Sequence, residues 1–434
     1  MTSDLVLERI RTRTARAGVI GLGYVGLPLL IEFAKAGFDV LGFDVDQTRV
    51  DAIGRGESYL EDVTVDDLRK VIAGGRLRTT TGFDELSNLD TVNICVPTPL
   101  RKTKDPDLSF VVAAVDEIAR HLRPGQLIIL ESTTYPGTVE EVVKPKLEAT
   151  GLLAGQDFFL AFSPERVDPG NVEWPTRRIP KVVGGIDEDS TRVATALYEQ
   201  IIEKVVPVSS ARVAEMVKLL ENTFRAVNIG LANEFALMCR DLDVDVWEVI
   251  EAAETKPFGF MPFYPGPGLG GHCVPIDPFY LSWKARQVGF ESRFIELAGH
   301  INGGMPRHVV QQISDALNSQ SRSINGSVVH LFGVAYKPGV SDTRESPALD
   351  ILKLLLERGA VVRYTDPFVG VVTTGDLTLE AMTLEEALAG GIDCAVITTA
   401  HAQIDYAEIA RRVPVVVDTR NALKRVKAGH VFRL

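Results

Sequence analysis

The sequence predicts an α/β fold, in which two doubly wound parallel-sheet domains are joined by a central helical domain with a long helix. Strand-like and helix-like runs alternate from residue 17 to residue 208, and a second, shorter alternation occupies residues 328–417. Between them, apolar residues recur at helical spacing from residue 211 to about residue 240. We therefore expect domains at residues 1–209, 210–318 and 319–434.

The amino-acid composition argues against several classes of protein. With 434 residues, 45% of them hydrophobic, and a net charge of −12, we expect a soluble protein without a nucleic-acid partner, because phosphate backbones require clustered basic residues. The four cysteines show no paired spacing, which fits a reducing compartment and argues against a metal site. The amino terminus lacks the apolar core of a signal peptide, and Glu32 and Lys35 interrupt the most apolar candidate for a membrane span. A cytoplasmic protein that does not bind membranes is expected.

A glycine-rich turn follows the first strand, residues 17–20. It reads Gly21-Leu22-Gly23-Tyr24-Val25-Gly26. A helical run at 27–36 follows, and the next strand, 38–43, ends at Asp44, eighteen residues after Gly26. In this order the turn would hold a dinucleotide pyrophosphate at the helix N-terminus, while Asp44 would bind the adenosine ribose and repel a 2′-phosphate. NAD is therefore favoured over NADP, and Arg49 is either a solvated helix residue or a partner for that phosphate.

Three further strands of this domain end in polar turns. Strands at 91–96, 126–131 and 158–162 lead into turns at 97–99, 132–137 and 163–170. Such sheets bind ligands at the carboxyl ends of their parallel strands, so Glu165 is expected at the ligand edge. Helices at 110–121, 138–148 and 190–202, with strands at 181–183 and 205–208, complete a sheet of six to eight strands.

The long helix at 211–240 would span about 45 Å, which is long enough to join two domains and to pack on a second copy. Lys218 and Asn222 are four residues apart and share one face of this helix. Either Lys218 extends over the core while Asn222 is solvated, or the two serve a site. Further helices are expected at 244–253, 278–288, 293–301 and 306–317.

Residues 263–280 follow neither helix nor strand periodicity. Four glycines and two prolines precede Cys273, a composition that lets the backbone approach a ligand closely and presents the thiol. Cys95, Cys239 and Cys394 lie in apolar runs, where a small buried side chain is expected. A helix starting near residue 275 and nearby lysines would favour the Cys273 thiolate. The alternative is a structural thiol in a tight turn.

The second alternation has strands at 328–334, 361–365, 394–398 and 413–417, with helices at 348–358, 384–388 and 406–411. No glycine fingerprint opens it. The turn at 336–347 brings Lys337 and Arg344 to a helix start capped by Ser346 and Pro347, which predicts an anion site.

Six of these stretches together resemble the nucleotide-sugar 6-dehydrogenase family, whose members oxidise the C6 alcohol of a UDP- or GDP-linked sugar to a carboxylate. The resemblance covers nearly the whole chain. The stretches are residues 21–26, Ser132-Thr133, Ser163-Pro164-Glu165, Lys218-Leu219-Leu220-Glu221-Asn222, Gly270-Gly271-His272-Cys273 with Asp277, and Asp342-Thr343-Arg344-Glu345-Ser346. The resemblance implies two Rossmann-like domains around a helical dimerisation centre, NAD as cofactor, a UDP-sugar substrate, and a homodimer or higher homo-oligomer.

The same resemblance implies roles for particular residues. Cys273 would be the nucleophile, Lys218 and Asn222 would stabilise developing oxyanions, and Glu165, Asp277 and Thr133 would handle water and protons. The implied cofactor contacts are Gly21, Gly23, Tyr24, Val25, Gly26, Asp44, Arg49, Pro97, Thr98, Thr133 and Arg344. The implied substrate contacts are Glu165, Arg166, Lys218, Asn222, Phe263, Tyr264, Gly270, Lys337 and Arg420. No metal ligand is expected.

The resemblance also bears on the sugar. Ile276 stands where the UDP-glucose branch of the family carries lysine, and Gly-Gly-His-Cys is typical of its N-acetylhexosamine branches. The flanking residues 256–260, 283–286 and 294–299 look most like the UDP-N-acetylglucosamine 6-dehydrogenase branch. We therefore expect UDP-N-acetylglucosamine as substrate, with UDP-N-acetylmannosamine and UDP-glucose as alternatives.

Oxidation of an alcohol to an acid removes two hydrides, and a free aldehyde midway would be lost. Cys273 would hold it as a thiohemiacetal and then as a thioester, from which water releases the carboxylate. A single-step hydroxyacid dehydrogenase would need neither this cysteine nor the second α/β domain. An NAD-sensing module would leave Lys218, Asn222, Glu165 and Cys273 without a shared task, so both alternatives are disfavoured.

Overall fold

The computed structural model describes residues 3–60, 63–101, 105–168, 173–375, 377–426 and 428–434. The chain divides into two compact units, each with its own sheet of mainly parallel strands. The first unit comprises residues 1–221 and 283–288, and the second comprises residues 222–282 and 289–434. The division into three domains at residues 209 and 318 stays a prediction.

The first unit is built on a sheet of eight strands. They are β1 (Arg16–Ile20), β2 (Asp39–Phe43), β3 (Leu77–Thr80), β4 (Thr91–Ile94), β5 (Leu127–Leu130), β6 (Phe159–Phe162), β7 (Lys181–Gly185) and β8 (Val205–Pro207). Their order is β3-β2-β1-β4-β5-β6-β7-β8, and neighbouring strands are parallel except β6 and β7. The strand order reverses between β1 and β4, so the carboxyl ends of these strands border the crevice in which such sheets bind ligands.

Helices cover both faces of this sheet. They are α1 (Ser3–Arg11), α2 (Gly26–Ala36), α3 (Gln47–Gly54), α4 (Val65–Ala73), α5 (Ser109–His121), α6 (Lys144–Glu148) and α7 (Glu188–Tyr198). Short 3₁₀ turns lie at Asp84–Asn88 and Thr176–Arg178, and a π-helical turn, Val139–Val143, precedes α6. In β5, Leu127 and Ile129 face one apolar cluster and Ile128 and Leu130 face another. Burial on both faces explains why the strand is apolar throughout.

Four helices occupy the middle of the chain: α8 (Ala211–Asp241), α9 (Val246–Glu254), α10 (Asp277–Gln287) and α11 (Arg293–Asn318). The predicted long helix is confirmed, with 31 residues in α8. The expectation of separate helices at 293–301 and 306–317 is wrong, because α11 continues through Pro306. Its buried face runs past the proline, from Ile295 through Met305 to Ile313. Burial of that face offsets the cost of an internal proline, about 3 kcal/mol.

The second unit carries a five-stranded parallel sheet and a small hairpin. The strands and helices are β9 (Val328–Phe332), α12 (Pro347–Glu357), β10 (Val361–Thr365), β11 (Val371–Thr374), β12 (Leu377–Glu380), α13 (Leu384–Ala389), β13 (Cys394–Ile397), α14 (Tyr406–Arg412), β14 (Val416–Asp418) and β15 (Val431–Arg433). The sheet order is β10-β9-β13-β14-β15, and β11 pairs with β12 in the antiparallel hairpin. The prediction of a second α/β fold in this part of the chain is therefore confirmed.

Candidate functional site

The glycine-rich turn between β1 and α2 has the shape that a pyrophosphate requires. Gly21 has a φ of +92°, and a Cβ there would lie 2.5 Å from the Cys95 carbonyl oxygen. A Cβ at Gly26 would lie 1.8 Å from the Gly21 carbonyl oxygen. At Gly23, by contrast, no atom of the described chain beyond its two neighbours in sequence comes within 4 Å of that position. The first and last glycines therefore allow close backbone packing, while Gly23 leaves space before the helix N-terminus, where an anion binds.

Asp44 is buried at the end of β2 and organises this turn. Its Oδ2 accepts the Leu22 N–H at 2.8 Å, and its Oδ1 accepts the Asp46 N–H at 2.9 Å. Arg49 places Nη1 3.4 Å from Oδ2 and also pairs with Asp46. Oδ1 keeps acceptor capacity for a ribose hydroxyl. Because Arg49 is already paired with two carboxylates, its charge is less available to a 2′-phosphate.

Tyr59 contacts the glycine-rich turn and is not predicted as a site residue from the sequence. Its hydroxyl donates to the Leu22 carbonyl at 2.5 Å, and the Arg49 guanidinium carbon lies 5.9 Å from its ring centroid. Burial raises the pKa of Tyr59, so the phenol remains a neutral donor. No spacing rule links residue 59 to the turn, so only the fold reveals this contact.

The other predicted cofactor residues of the first unit lie in the turns after β1, β4 and β5. They are Tyr24 (exposed), Val25 (N-cap of α2), Pro97 (exposed), Thr98 (buried) and Thr133 (half-buried). Ser132 joins two of these turns, because its Oγ donates to the Val96 carbonyl at 2.7 Å. The carboxyl ends of β4 and β5 are thereby held together next to Thr133.

Glu215 anchors the far end of the Thr133 turn to α8. Its Oε2 accepts the Gly137 N–H at 2.5 Å, and its Oε1 accepts the Val139 N–H at 3.0 Å. Burial raises the pKa of Glu215 to about 7, although both hydrogen bonds act in the opposite direction. Sequence reasoning missed this residue, which lies one helical turn before Lys218.

Glu165 follows β6, as the sequence predicts, and is held as a carboxylate. Its Oε1 accepts the N–H groups of Arg166 and Val167, each at 2.7 Å. Its Oε2 lies 3.1 Å from the Lys181 ammonium, which is also 2.7 Å from Glu131. Burial alone would raise the pKa of Glu165, but Lys181 and the two N–H groups lower it below its usual value.

Two further predicted residues of the first unit are Arg166 and Lys218. Arg166 donates through Nη2 to Glu221 at 2.6 Å and through Nη1 to the Pro180 carbonyl at 2.6 Å, so it ties the segment after β6 to α8. Lys218 is buried, with 7% of its surface exposed. The described residues of the first unit offer its ammonium no hydrogen-bond or ion-pair partner. A buried ammonium of this kind is suited to an anionic ligand.

In the second unit, Cys273 is half-buried in the turn that leads into α10. Its carbonyl accepts the N–H groups of Ile276 at 3.1 Å and Asp277 at 2.8 Å. Asp277 in turn accepts the Asn222 Nδ2 donor at 2.5 Å, and both of these side chains are buried. The structure therefore brings together three of the predicted catalytic residues: the thiol-bearing turn, the aspartate four residues on, and the amide from α8.

The loop before Cys273 is anchored by buried amides. Asn233 on α8 accepts the Gly266 N–H at 2.9 Å and donates to Asn302 at 2.8 Å. Gly266 packs closely on Arg420, since a Cβ there would lie 2.7 Å from Nη1. Arg420 donates through Nε to the Thr398 carbonyl at 2.8 Å, and burial lowers its pKa to about 10. Arg420 thus lies at the carboxyl edge of the second sheet, next to the loop.

Gly270 and Gly271 press against the turn that the sequence predicts as an anion site. A Cβ at Gly270 would lie 2.7 Å from the Tyr336 Cβ. Gly271, with a φ of +81°, donates its N–H to the Arg344 carbonyl at 3.0 Å. The Arg344 guanidinium pairs with Asp342 at 2.6 Å. Lys337, beside them, is half-buried, with Nζ 5.8 Å from the Tyr336 ring centroid.

The two predicted aromatic contacts have partners of their own. Phe263 meets Phe224 edge to face at 5.6 Å, and Tyr264 stacks on Trp247 at 6.2 Å. The Tyr264 hydroxyl donates to Glu254 at 2.9 Å. These contacts hold the start of the loop against α8 and α9.

Asp366 in the second sheet repeats the position of Asp44. It follows β10, and its Oδ2 accepts the N–H groups of Val334 at 2.7 Å and Ala335 at 3.0 Å in the turn after β9. His401 Nε2 lies 3.1 Å from the same oxygen. The sequence signal for this residue was a strand that ends in aspartate, the pattern that identifies Asp44 in the first sheet.

Three consecutive stretches of the chain match the domains of one family. Residues 15–202 match the NAD binding domain, residues 212–303 the central domain and residues 330–425 the UDP binding domain of the UDP-glucose/GDP-mannose dehydrogenase family. The chain belongs to this family.

Curated relatives and a solved structure agree with this membership. A UDP-N-acetyl-D-mannosamine dehydrogenase from Pyrococcus horikoshii is 36% identical and covers 96% of this chain and 98% of its own length. A UDP-N-acetyl-D-glucosamine 6-dehydrogenase from Pseudomonas aeruginosa is 37% identical and covers 82% of this chain and 83% of its own. The solved structure of the UDP-D-ManNAc dehydrogenase from Pyrococcus horikoshii superposes with a TM-score of 0.88, covering 96% of this chain and 98% of that chain, at 36% identity.

This member of the UDP-glucose/GDP-mannose dehydrogenase family is an NAD-dependent UDP-sugar 6-dehydrogenase with two Rossmann-like sheets. The predicted family, fold class, cofactor and reaction class are thereby confirmed. The family's NAD binding domain contains the glycine turn and Asp44, its central domain contains Lys218, Asn222, Cys273 and Asp277, and its UDP binding domain contains the Lys337 turn. The roles of the individual site residues stay predictions.

The described part of the dehydrogenase carries neither a metal cluster nor a membrane span. Among these residues, no group of three or more His, Cys, Asp or Glu side chains could hold a metal ion. No helix in that part of the chain is long and apolar enough to cross a membrane.

Proposed function

We propose that this dehydrogenase oxidises UDP-N-acetylglucosamine to UDP-N-acetylglucosaminuronate through a covalent intermediate on Cys273. The observation that carries the proposal is the half-buried thiol in a turn whose backbone is fixed by Asp277, itself bound to buried Asn222. A nucleophile on a rigid turn keeps a fixed position through successive steps. A freely rotating surface thiol would not.

The cofactor is assigned to the first unit. Gly23 leaves room for the pyrophosphate before α2, and Asp44 offers Oδ1 to the ribose. When bound, NAD accepts the hydride of each oxidation, so two molecules are used in turn. Arg344 is proposed as a further cofactor contact on the family resemblance, and its pairing with Asp342 fixes the guanidinium.

The first oxidation removes a proton from the C6 hydroxyl and a hydride from C6. We assign the developing oxyanion to the Lys218 ammonium and the Asn222 amide, which share one face of α8. Asp277 holds one N–H of the Asn222 amide and so orients the other. The Cys273 sulfur then adds to the aldehyde carbon and forms a thiohemiacetal.

The second oxidation removes a hydride from the thiohemiacetal carbon, while the hydroxyl proton is lost to solvent, and leaves a thioester. Water adds to this carbon, the C–S bond breaks, and the thiol is regenerated as the carboxylate leaves. Glu165, in its ionised form, is assigned the proton of this water. Thr133 and Asp277 are proposed, on the family resemblance, to take part in handling water and protons. We propose that the nucleotide part of the substrate is bound by further residues, namely Arg166, Phe263, Tyr264, Gly270, Lys337 and Arg420.

The preference for an N-acetylhexosamine rests on Ile276. This side chain is 8% exposed, immediately before Asp277, where the UDP-glucose branch carries a lysine. An apolar residue there removes a charged donor and leaves a surface that an acetamido methyl group tolerates. The name of the Pseudomonas aeruginosa relative supports the glucosamine epimer. UDP-N-acetylmannosamine is the second candidate, because the Pyrococcus horikoshii relative bears that name and matches 96% of the chain.

Side-by-side kinetics on UDP-N-acetylglucosamine, UDP-N-acetylmannosamine and UDP-glucose test this proposal. We expect two NADH per sugar oxidised and the highest kcat/KM for UDP-N-acetylglucosamine. A single apolar contact discriminates by about 10- to 200-fold, so slow oxidation of UDP-glucose is compatible with the proposal. One NADH per sugar would contradict the covalent four-electron route. A preference for UDP-glucose would contradict the assignment of the sugar and leave the mechanism intact.

We also propose that the enzyme works as a homodimer in the cytoplasm. All four cysteines are reduced thiols, which suits a reducing compartment and a nucleophile that must stay reduced. The dimer rests on an exposed apolar face of α8, and its test is given in the Discussion.

A further inference from the structure

A buried chain of charges lies behind Glu165. Lys181, the first residue of β7, places Nζ 2.7 Å from Glu131 Oε2 and 3.1 Å from Glu165 Oε2. The Lys181 side chain is 5% exposed and the Glu131 side chain is fully buried. Two carboxylates therefore share one ammonium away from water, where charge interactions are strong.

Glu131 is the fixed end of this chain. Its Oε1 accepts hydrogen bonds from Asn93 Nδ2 and the Tyr198 hydroxyl, both at 2.6 Å. The Lys181 ammonium also lies 5.1 Å from the Tyr198 ring centroid. Burial raises the pKa of Tyr198 and of the nearby Cys95 thiol, so both stay neutral. Glu131 thus holds Lys181 in one position.

Glu165 is the open end of the chain. Two backbone N–H groups bind Oε1, and Lys181 binds Oε2. A carboxylate has about four acceptor positions, so one on Oε2 remains for a water molecule or a sugar hydroxyl. Arg166, the residue after Glu165, is bound to Glu221 and the Pro180 carbonyl, so its charge is already paired.

We propose that Lys181 is a positioning residue for the reaction, which fixes Glu165 Oε2 and keeps Glu165 in the ionised form that takes a proton from the hydrolytic water. The inference rests on the proposed function, because it takes Glu165 to act on that water. Without Lys181, the buried carboxylates Glu131 and Glu165 would repel each other and share a proton, as paired carboxylates do. Glu165 would then lose its basic form at mildly acidic pH.

The test is the pH dependence of kcat for UDP-N-acetylglucosamine oxidation from pH 5.5 to pH 9. In Lys181→Met we expect the acidic limb to move up by at least about one pH unit, so that kcat at pH 5.5 falls at least ~10-fold below its own value at pH 8.5. Lys181→Arg keeps the cation and should retain the wild-type profile. Glu131→Gln leaves the whole ammonium charge to Glu165, so its acidic limb should stay in place or move down. The Kd for NAD should be unchanged in all three variants.

A loss of kcat in Lys181→Met that is the same at every pH would contradict the inference, because it would mean that Lys181 has only a structural role. If Lys181→Met does not fold, Glu131→Gln decides, because an upward shift of its acidic limb contradicts the inference. Glu165→Gln separates this inference from the proposed function. Acid release at the wild-type rate in Glu165→Gln would remove the role of Glu165 itself, whereas an inactive Glu165→Gln with an unshifted Lys181→Met would remove only the role of Lys181.

Discussion

At the scale of single residues, the four cysteines of this enzyme show how backbone context decides chemistry. Cys95, Cys239 and Cys394 are buried in a strand end, a helix and a strand. Burial raises the pKa of the Cys394 thiol, which makes it inert. Cys273 is half-buried, and its carbonyl accepts the two N–H groups that close the turn. The backbone therefore fixes the place from which the Cys273 sulfur would react.

Replacement of Cys273 by serine tests this distinction. We expect Cys273→Ser to lower acid formation on the order of 10³-fold or more, since the hydroxyl is a weak nucleophile and no thioester forms. NAD affinity should be unchanged, because the thiol acts in the chemical steps and Cys273 is not among the residues assigned to the cofactor. Product analysis and calorimetric titration with NAD measure the two effects. Cys239→Ala, in the apolar core, is the matched control and should keep its activity. Wild-type acid formation in Cys273→Ser would contradict the covalent mechanism.

At the scale of elements, α8 positions other segments of the chain, because side chains on its successive turns bind them. Glu215 binds the Thr133 turn, Glu221 binds Arg166, and Asn222 binds Asp277. Lys218 lies between these anchors. The predicted oxyanion residues Lys218 and Asn222 are therefore held about one helical turn apart on α8. The unbroken hydrogen bonding of the helix keeps this spacing rigid.

The Glu215 anchor predicts a pH dependence of stability. Its pKa is raised from the ordinary 4.5 to about 7 in the folded protein. A carboxyl group with a raised pKa stabilises the fold most below its unfolded pKa, and this stabilisation is lost as the pH rises through the folded pKa. We expect the free energy of unfolding of the wild type, relative to Glu215→Gln, to fall by up to about 3 kcal/mol between pH 4.5 and pH 8.

Chemical denaturation of both proteins across this pH range measures the difference. The amide in the Glu215→Gln variant cannot ionise, so this variant supplies the reference in which the site is independent of pH. A difference that rises with pH would mean that the two backbone N–H groups outweigh burial, and would contradict the raised pKa.

At the scale of the whole molecule, α8 leaves an apolar stripe uncovered. Phe224, Leu231, Phe235 and Met238 recur at helical spacing and are each 43–49% exposed. Exposed apolar residues that recur along one face of a helix are typical of a protein–protein interface. A second copy, related by a two-fold axis, would bury the same stripe twice.

The double variant Leu231→Glu/Phe235→Glu tests this surface. We expect the wild type to have twice the chain mass of 47.4 kDa by light scattering at micromolar concentration, and the double variant to have the mass of one chain. Leu153→Glu, at an equally exposed leucine of the first unit, should stay dimeric. A monomeric wild type would contradict the proposed dimer.

The sequence by itself determined the features that are local in the chain. The strands of both sheets, the long helix, the glycine turn with Asp44, and the setting of Cys273 in an irregular loop follow from periodicity and spacing, because each depends on neighbours within a few tens of residues. The family follows from the order of its motifs. Helix α11 is the exception. Pro306 predicts a helix boundary when only its neighbours are considered, but burial along the rest of the helix outweighs the cost of the proline.

Only the tertiary structure decided which polar groups meet. Lys181 lies 50 residues from Glu131, Glu215 lies 78 residues from Gly137, and Tyr59 lies 37 residues from Leu22. None of these separations matches a helical or strand repeat, so no pattern in the chain pairs them. The contacts arise because parallel strands and crossover helices bring distant turns to one sheet edge. There, a buried charge or N–H group must be matched by whichever side chain the fold places against it.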